Sequence, residues 1–196
     1  MLRKCRSISV VSRSIVLLAV VVLASSWSHA QVEKPFKISG EGVGPSGIPL
    51  PGDPAEPHWI IGNATHLGKH FGFGEVETEA ADFSDFPERI TGTFGSGVPF
   101  VFTGANGDNL VCNYGRDIDG GFTGVFELEV LDAANLVVKA FWIAEFVPVP
   151  EECTGKFAGV TGSWTMFANS APFVLGSDDP LSYAWEGVGS LTFEKK

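Results

Sequence analysis

The stretch NLVVKAFWIAEFV, residues 135–147, carries the pattern that decides the fold class. Every even-numbered position from Leu136 to Phe146 is apolar, whereas the odd-numbered positions include Lys139 and Glu145. A two-residue period places successive side chains on opposite faces of an extended chain, which is typical of a half-buried β-strand. The segment therefore predicts one long strand.

The same alternation recurs over much of the chain after residue 57. In one run Phe126 and Leu128 lie on one predicted face, and Glu127 and Glu129 lie on the other. Further runs lie at 90–94, 98–102, 110–114, 160–166 and 183–193, and 58–66 and 71–80 complete about nine candidate strands. No stretch shows a convincing 3.6-residue apolar repeat. The pattern predicts an all-β fold, and we favour an antiparallel closed barrel of about eight strands over a sandwich, because closure removes exposed strand edges.

Glycine and asparagine positions fit this arrangement. Asn106-Gly107 predicts a hairpin turn, because this pair accommodates positive φ angles. Gly72, Gly74 and Gly187 are among the glycines inside strand patterns, where glycine usually marks a bulge or a sharp bend.

The first 30 residues resemble a signal peptide. Four basic residues precede an apolar run at 15–24, and Ser28-His29-Ala30 places small residues at the two positions that a signal peptidase recognises. This run is about half the length that a membrane span requires. We expect cleavage after Ala30, a secreted or periplasmic protein, and no transmembrane span in the mature chain.

The segment that follows differs in composition from the strands. Residues 41–57 hold five prolines and four glycines, which interrupt helix and sheet alike. We therefore predict an extended N-terminal segment at 31–57 and a barrel domain at 58–196.

Charge and composition exclude several classes of protein. Residues 31–196 carry 9 basic and 23 acidic residues, a net charge of −14, so neither nucleic acid nor an anionic membrane surface is an expected partner. The chain is 44% hydrophobic and only 18% charged, which excludes a disordered protein. The sequence is compatible with an oligomer and does not set its size.

Two cysteines remain after the predicted leader, Cys112 and Cys153. In an oxidising compartment an even pair favours a disulfide; the alternative is two separate buried thiols. Their spacing does not fit a zinc site.

Three histidines share one parity. His58, His66 and His70 would lie on one face of an unbroken strand, where imidazoles can hold a metal. Leu67-Gly68-Lys69 predicts a turn within that run, and no carboxylate has a spacing that completes a ligand set. We therefore favour structural hydrogen bonds for these histidines, and predict no metal and no cofactor.

Three motifs carry a resemblance to a known family. They are ATHLGKH at 64–70, FTGANGDNL at 102–110 and TGKFAGVTGSW at 154–164. In this order they resemble the recurrent motifs of secreted bacterial proteins with an allene oxide cyclase-like barrel, a largely uncharacterised family. The wider superfamily implies a calycin-type barrel, and its plant members include a cyclase of an unstable fatty-acid epoxide and the dirigent proteins. No plant active-site motif aligns, so the resemblance implies fold and ligand character and no catalytic residue.

A small barrel leaves room for side chains or for one small ligand. Parity predicts an interior wall of Phe100, Phe102, Phe126, Leu128, Trp142 and Trp164, with Tyr114 or His66 orienting a bound molecule. The favoured function is non-catalytic binding of a small apolar or lipid-like molecule. The alternatives are a filled envelope or interaction module, and an isomerase or cyclase assisted by Glu145 or Glu186.

Overall fold

The computed structural model describes residues 31–46, 49–117 and 119–195. The elements are β1 (Gln31–Gly44), β2 (Glu56–Ala64), β3 (Gly68–Asp82), β4 (Arg89–Gly95), β5 (Phe100–Gly104), β6 (Asn109–Tyr114), β7 (Gly124–Asp132), β8 (Val137–Pro148), a 3₁₀ turn (Gly155–Phe157), β9 (Thr161–Ser170), β10 (Phe173–Val174) and β11 (Leu181–Glu194). The prediction of an all-β protein is confirmed. No helix in these ranges is long and apolar enough to cross a membrane. The predicted signal peptide at 1–30 lies outside the described residues.

Strand pairing is antiparallel and returns to its starting point. The order is β1, β2, β3, β5, β6, β8, β9 and β11, and β11 pairs with β1, so eight strands form a continuous ring. Strands β4 and β7 pair with each other and form a second link between β3 and β8. Each strand of the ring therefore has a partner on both sides, which leaves no strand as a free edge of the ring.

The sequence patterns located several of these elements. The long strand predicted at 135–147 is β8, although Leu136 lies in the preceding turn with a φ of +50° and is exposed. The hairpin predicted at Asn106-Gly107 joins β5 to β6, and Gly107 has a φ of +85°. Both predictions of structure are confirmed.

Strand β1 lies where the sequence predicted a segment outside the sheet. It pairs with β11 along its whole length, from Gln31 opposite Glu194 to Gly44 opposite Leu181. The prediction was therefore wrong for 31–44, and Glu56 already begins β2. Pairing relies on backbone hydrogen bonds, so glycines are compatible with a strand whose neighbours on both sides supply the side chains.

Large and small residues exchange places between β1 and β11. The inward-facing pairs are Phe36↔Gly189 and Ile38↔Gly187 toward one end, and Gly40↔Trp185 and Gly42↔Tyr183 toward the other. A Cβ on Gly40 or Gly189 would meet neighbouring backbone, whereas the absence of a Cβ at Gly42 and Gly187 leaves room for the rings of Tyr183 and Trp164. Gly74 acts in the same way, because a Cβ on it would lie 2.7 Å from Cε2 of Phe100. Gly74 was predicted to mark a bulge or a sharp bend, and its unbroken register with β2 shows that it is not a bulge.

One end of the ring is solid. Trp164 is fully buried and stacks on Phe146 with 4.0 Å between ring centroids and 13° between planes. Phe36 packs against Trp164, and Phe157 of the 3₁₀ turn is also fully buried. These rings fill the interior as a close-packed core.

The predicted disulfide is absent, because Cys112 and Cys153 are both free and buried. The Cys153 thiol lies against the backbone of Val111, with Sγ 3.3 Å from its nitrogen and 3.4 Å from its oxygen. Cys112 follows Val111 on β6, and neighbouring side chains of a strand point to opposite faces. The two thiols are therefore unbonded, and each behaves as a small apolar side chain.

Candidate functional site

The other end of the ring is hollow. A cavity there has about 830 Å³ of empty space, counting the part that opens to solvent. Within it, the volume that the centre of a water molecule can occupy is about 100 Å³. By the same measure, a single water needs roughly 10–15 Å³. The wall is rich in aromatic residues and includes Phe94, Phe100, Phe102, Tyr114, Phe126, Trp142, Phe146, Tyr183 and Trp185.

The loop that follows β1 lines part of this cavity. Pro45 and Pro49 follow β1 and line the cavity. Their loop is tied to the segment before β11, because Gly176 N–H donates to Ser46 O at 3.1 Å and the hydroxyls of Ser46 and Ser177 lie 2.9 Å apart. The proline-rich composition that predicted a lead-in thus belongs to the rim of the cavity.

A chain of hydrogen bonds crosses one wall. The Tyr183 hydroxyl lies 2.7 Å from His58 Nδ1, and His58 Nε2 lies 3.0 Å from the Tyr114 hydroxyl. Tyr114 in turn donates to the backbone oxygen of Glu75. Four groups from β2, β3, β6 and β11 are therefore connected, and we refer to Tyr183, His58, Tyr114 and Glu75 O as the relay.

The direction of every bond in the relay follows from its last member. A carbonyl oxygen only accepts, so Tyr114 uses its single proton on Glu75. Tyr114 must then accept from His58, which places the imidazole proton on Nε2. Nδ1 of the neutral ring is left as an acceptor, and Tyr183 donates to it. The geometry thus assigns the His58 tautomer.

Burial keeps the relay neutral. Desolvation lowers the pKa of His58 from 6.5 to about 4. Desolvation is also the largest cause that raises the pKa of Tyr114 and the pKa of Tyr183. At pH 7 the relay therefore carries no charge.

Glu56 is the acidic residue of the cavity wall. It precedes His58 by two positions on β2, so both side chains lie on the same face of the strand. Its Oε2 atom is buried and has no hydrogen-bond partner among the described residues. Desolvation, followed by the charge of Asp53, raises its pKa. The carboxylate is thus placed at the cavity without an internal partner.

The structure separates the eight predicted ligand-binding residues into groups. Phe100, Phe102, Tyr114, Phe126 and Trp142 line the cavity. Leu128 lines an adjoining apolar pocket, which shares Phe126 with the cavity, and Trp164 lies in the solid core.

His66 lies away from the cavity. It occupies the turn after β2 with a φ of +68°, and its ring meets Phe193 at 5.4 Å between centroids. The cavity is lined instead from the first half of β2, by Glu56, His58 and Ile60. His66 therefore cannot orient a molecule in the cavity.

Sequence reasoning missed three polar contributors, Glu56, His58 and Tyr183. The parity that placed His58 on a face with apolar Ile60 was visible, but Pro57 and the prolines before it made the start of β2 look like loop. Tyr183 lay in a predicted strand, and nothing local indicated that its hydroxyl meets His58.

The other proposed chemical groups do not converge on the cavity. Glu145 and Glu186, the acids suggested for an isomerase, are exposed on outward positions of β8 and β11. Among the residues with assigned positions, no three His, Cys, Asp or Glu side chains form a group that could hold a metal. His70 instead donates from Nδ1 to Gly68 O at 3.2 Å.

Comparison with known proteins adds no family. No family model, no curated protein and no solved structure matches this chain. The resemblance to the allene oxide cyclase-like family stays a prediction from the three motifs.

Proposed function

We propose that this protein is an exported binding protein whose eight-strand ring is a closed barrel of the allene oxide cyclase-like type, and that it holds a small apolar or lipid-like molecule without transforming it. The observation that carries the proposal is the aromatic-walled cavity at one end of the ring. Ligand sites are commonly concave, mostly apolar and furnished with a few placed polar groups. The cavity has this character, with the relay and Glu56 as its polar groups.

The energetics favour burial as the driving force. Apolar surface removed from water contributes roughly 25 cal/mol per Å², and the loss of translational and rotational freedom on binding offsets part of it. Four of the six predicted wall residues line the cavity, Phe100, Phe102, Phe126 and Trp142, and all four are aromatic. A hydrophobic molecule of suitable size is thus expected to bind through the area that it buries.

The two alternatives have less support. A filled module would need aromatic side chains to occupy the whole interior, whereas Trp164 and Phe36 fill only one end. The isomerase was predicted to use Glu145 or Glu186 as its acid, and both lie on the outer face, away from the cavity.

Ligand titration tests the proposal. An environment-sensitive apolar dye is titrated into the protein while dye and tryptophan fluorescence are followed, and the titration is repeated with Phe126→Ala. Saturable 1:1 binding of the dye that weakens several-fold in the variant supports the proposed binding in the cavity. The matched control is Phe167→Ala, since Phe167 is 44% exposed on the outer face and should leave binding unchanged. Equal binding by all three proteins would defeat the proposal.

Export is tested separately. Intact mass of the protein from the periplasm or the medium should correspond to a chain that begins at Gln31. Recovery of the 196-residue chain from the membrane pellet would contradict it.

A further inference from the structure

The relay determines what the cavity offers to a polar group. The protons of Tyr183, His58 Nε2 and Tyr114 are all used within the relay. The Tyr183 oxygen keeps free lone pairs, since a phenolic oxygen accepts as well as donates. Toward a bound molecule the relay therefore accepts hydrogen bonds and does not donate them.

The charged residues of the cavity also favour a ligand that donates hydrogen bonds over an anion. None of the described residues that line it is Lys or Arg, and its histidine belongs to the neutral relay. Glu56 supplies a carboxylate at the wall, with Asp53 near enough to affect it. A bound anion would therefore be desolvated without a counter-ion, which is strongly unfavourable.

Two neutral donors outside the relay line the cavity, the Thr78 hydroxyl and Trp185 Nε1. Trp185 Nε1 is buried and has no hydrogen-bond partner among the described residues. Trp185 lies two residues beyond Tyr183 on β11 and packs beside His70, farther from the mouth. A hydroxyl and an indole N–H, both neutral, do not replace the solvation of a carboxylate.

We propose that the molecule held in this cavity is an amphiphile whose polar end donates hydrogen bonds, as a hydroxyl or an ammonium group does, to Tyr183 Oη and Glu56. Fatty-acid carboxylates are expected to bind more weakly. The inference rests on the proposed function, because it specifies the ligand class of the same cavity.

The test uses four probes with one ten-carbon chain: decanol, decylamine, decanoate and methyl decanoate. Each displaces the apolar dye at pH 7, below the concentration at which the probe aggregates. Decanol and decylamine should bind about tenfold more tightly than decanoate. Methyl decanoate, which accepts only, should bind more weakly than decanol. If decanoate binds as tightly as decanol and decylamine, the inference about the ligand class is overturned, but the proposed binding of apolar molecules is not. If no probe displaces the dye, both proposals fail.

A charge reversal separates a local effect from a general one. Glu56→Lys should weaken decylamine and admit decanoate, and Glu56→Gln should weaken decylamine with little effect on decanol. Glu186→Lys makes the same change of net charge at an exposed position and should keep the order of probe affinities seen for the wild type. Circular dichroism confirms that each variant is folded. If Glu186→Lys changes the order of probe affinities as much as Glu56→Lys does, the preference among the probes comes from net charge, and the inference fails.

Discussion

The Nδ1 atom of His58 lies 2.7 Å from the Tyr183 hydroxyl, although 125 positions separate the two residues in the chain. The contact is possible because β1, which pairs with both β2 and β11, presents glycine beside both side chains. Gly42 lies opposite Tyr183 and Gly44 lies beside the Cβ of His58. The ring of strands thus brings His58, from the proline-rich start of β2, and Tyr183, from the last strand, to one wall of the cavity.

The relay predicts a single His58 tautomer. Nitrogen-15 NMR at pH 7 should show a protonated Nε2 and an unprotonated Nδ1. Tyr114→Phe removes both the acceptor for Nε2–H and the donor to Glu75 O, so the free energy of unfolding should fall by about 1–3 kcal/mol. An Nδ1–H signal, or an unchanged stability in Tyr114→Phe, would contradict the assigned directions.

Stability should depend on pH through His58. Its pKa falls from 6.5 in the unfolded chain to about 4 in the fold, so the unfolded state binds the proton first as the pH falls. The stability present above pH 6.5 is therefore lost progressively toward pH 4, by on the order of 3 kcal/mol from this group. Urea denaturation at several pH values measures the slope.

A variant isolates this histidine from other titrating groups. Desolvation also lowers the pKa of His70, whereas the raised pKa of Glu56 acts in the opposite sense. His58→Gln should flatten the slope between pH 6.5 and 4, and His66→Gln, outside the relay, should preserve it. Parallel slopes for wild type and His58→Gln would show that His58 does not carry the dependence.

Gly42 should be essential for the cavity wall. A Cβ at this position would overlap the Tyr183 ring, whereas a Cβ on Gly44 would lie 3.3 Å from the nearest atom, Cβ of His58. Gly42→Ala should lower the free energy of unfolding by about 1–3 kcal/mol and weaken dye binding, because the ring must shift. Gly44→Ala is the matched control and should have the smaller effect on both measurements. Equal effects of the two variants would mean that the Tyr183 ring moves aside without a loss of stability or of dye binding.

Two tryptophans predicted to share a wall should behave differently. Trp164 is 1% exposed and stacked in the solid core, so Trp164→Ala should lower stability by about 3–5 kcal/mol. Trp142 is half-buried and lines the cavity, so Trp142→Ala should weaken dye binding with a smaller loss of stability. Urea denaturation and dye titration on both variants distinguish these outcomes, and a reversed pattern would contradict the division of the interior.

The free thiols should be protected in the native protein. Burial raises the pKa of both Cys112 and Cys153, which lowers the fraction of reactive thiolate. A thiol-specific reagent should react slowly with the native chain and rapidly in denaturant. A disulfide-linked peptide containing both residues in a non-reducing digest would contradict the absence of the bridge.

Local patterns predicted the strands that have ordinary turns at their ends. Alternation located β8, and Asn106-Gly107 located a hairpin, because period and turn geometry depend on neighbouring residues. The same reasoning failed at β1 and at the start of β2. There glycine and proline usually interrupt a strand, and only pairing with distant β11 and β3 shows that these segments belong to the sheet.

A two-residue period indicates an all-β chain and shows which face of each predicted strand is apolar. Only the packing of the strands against one another establishes which apolar residues enclose space and which fill it. Phe126 and Trp164 have the same parity, yet one lines a cavity and the other stacks in the core. That difference depends on depth along the ring and on glycines of adjacent strands. The relay likewise required tertiary contact, because a hydrogen bond between His58 and Tyr183 leaves no mark on the residues beside either one.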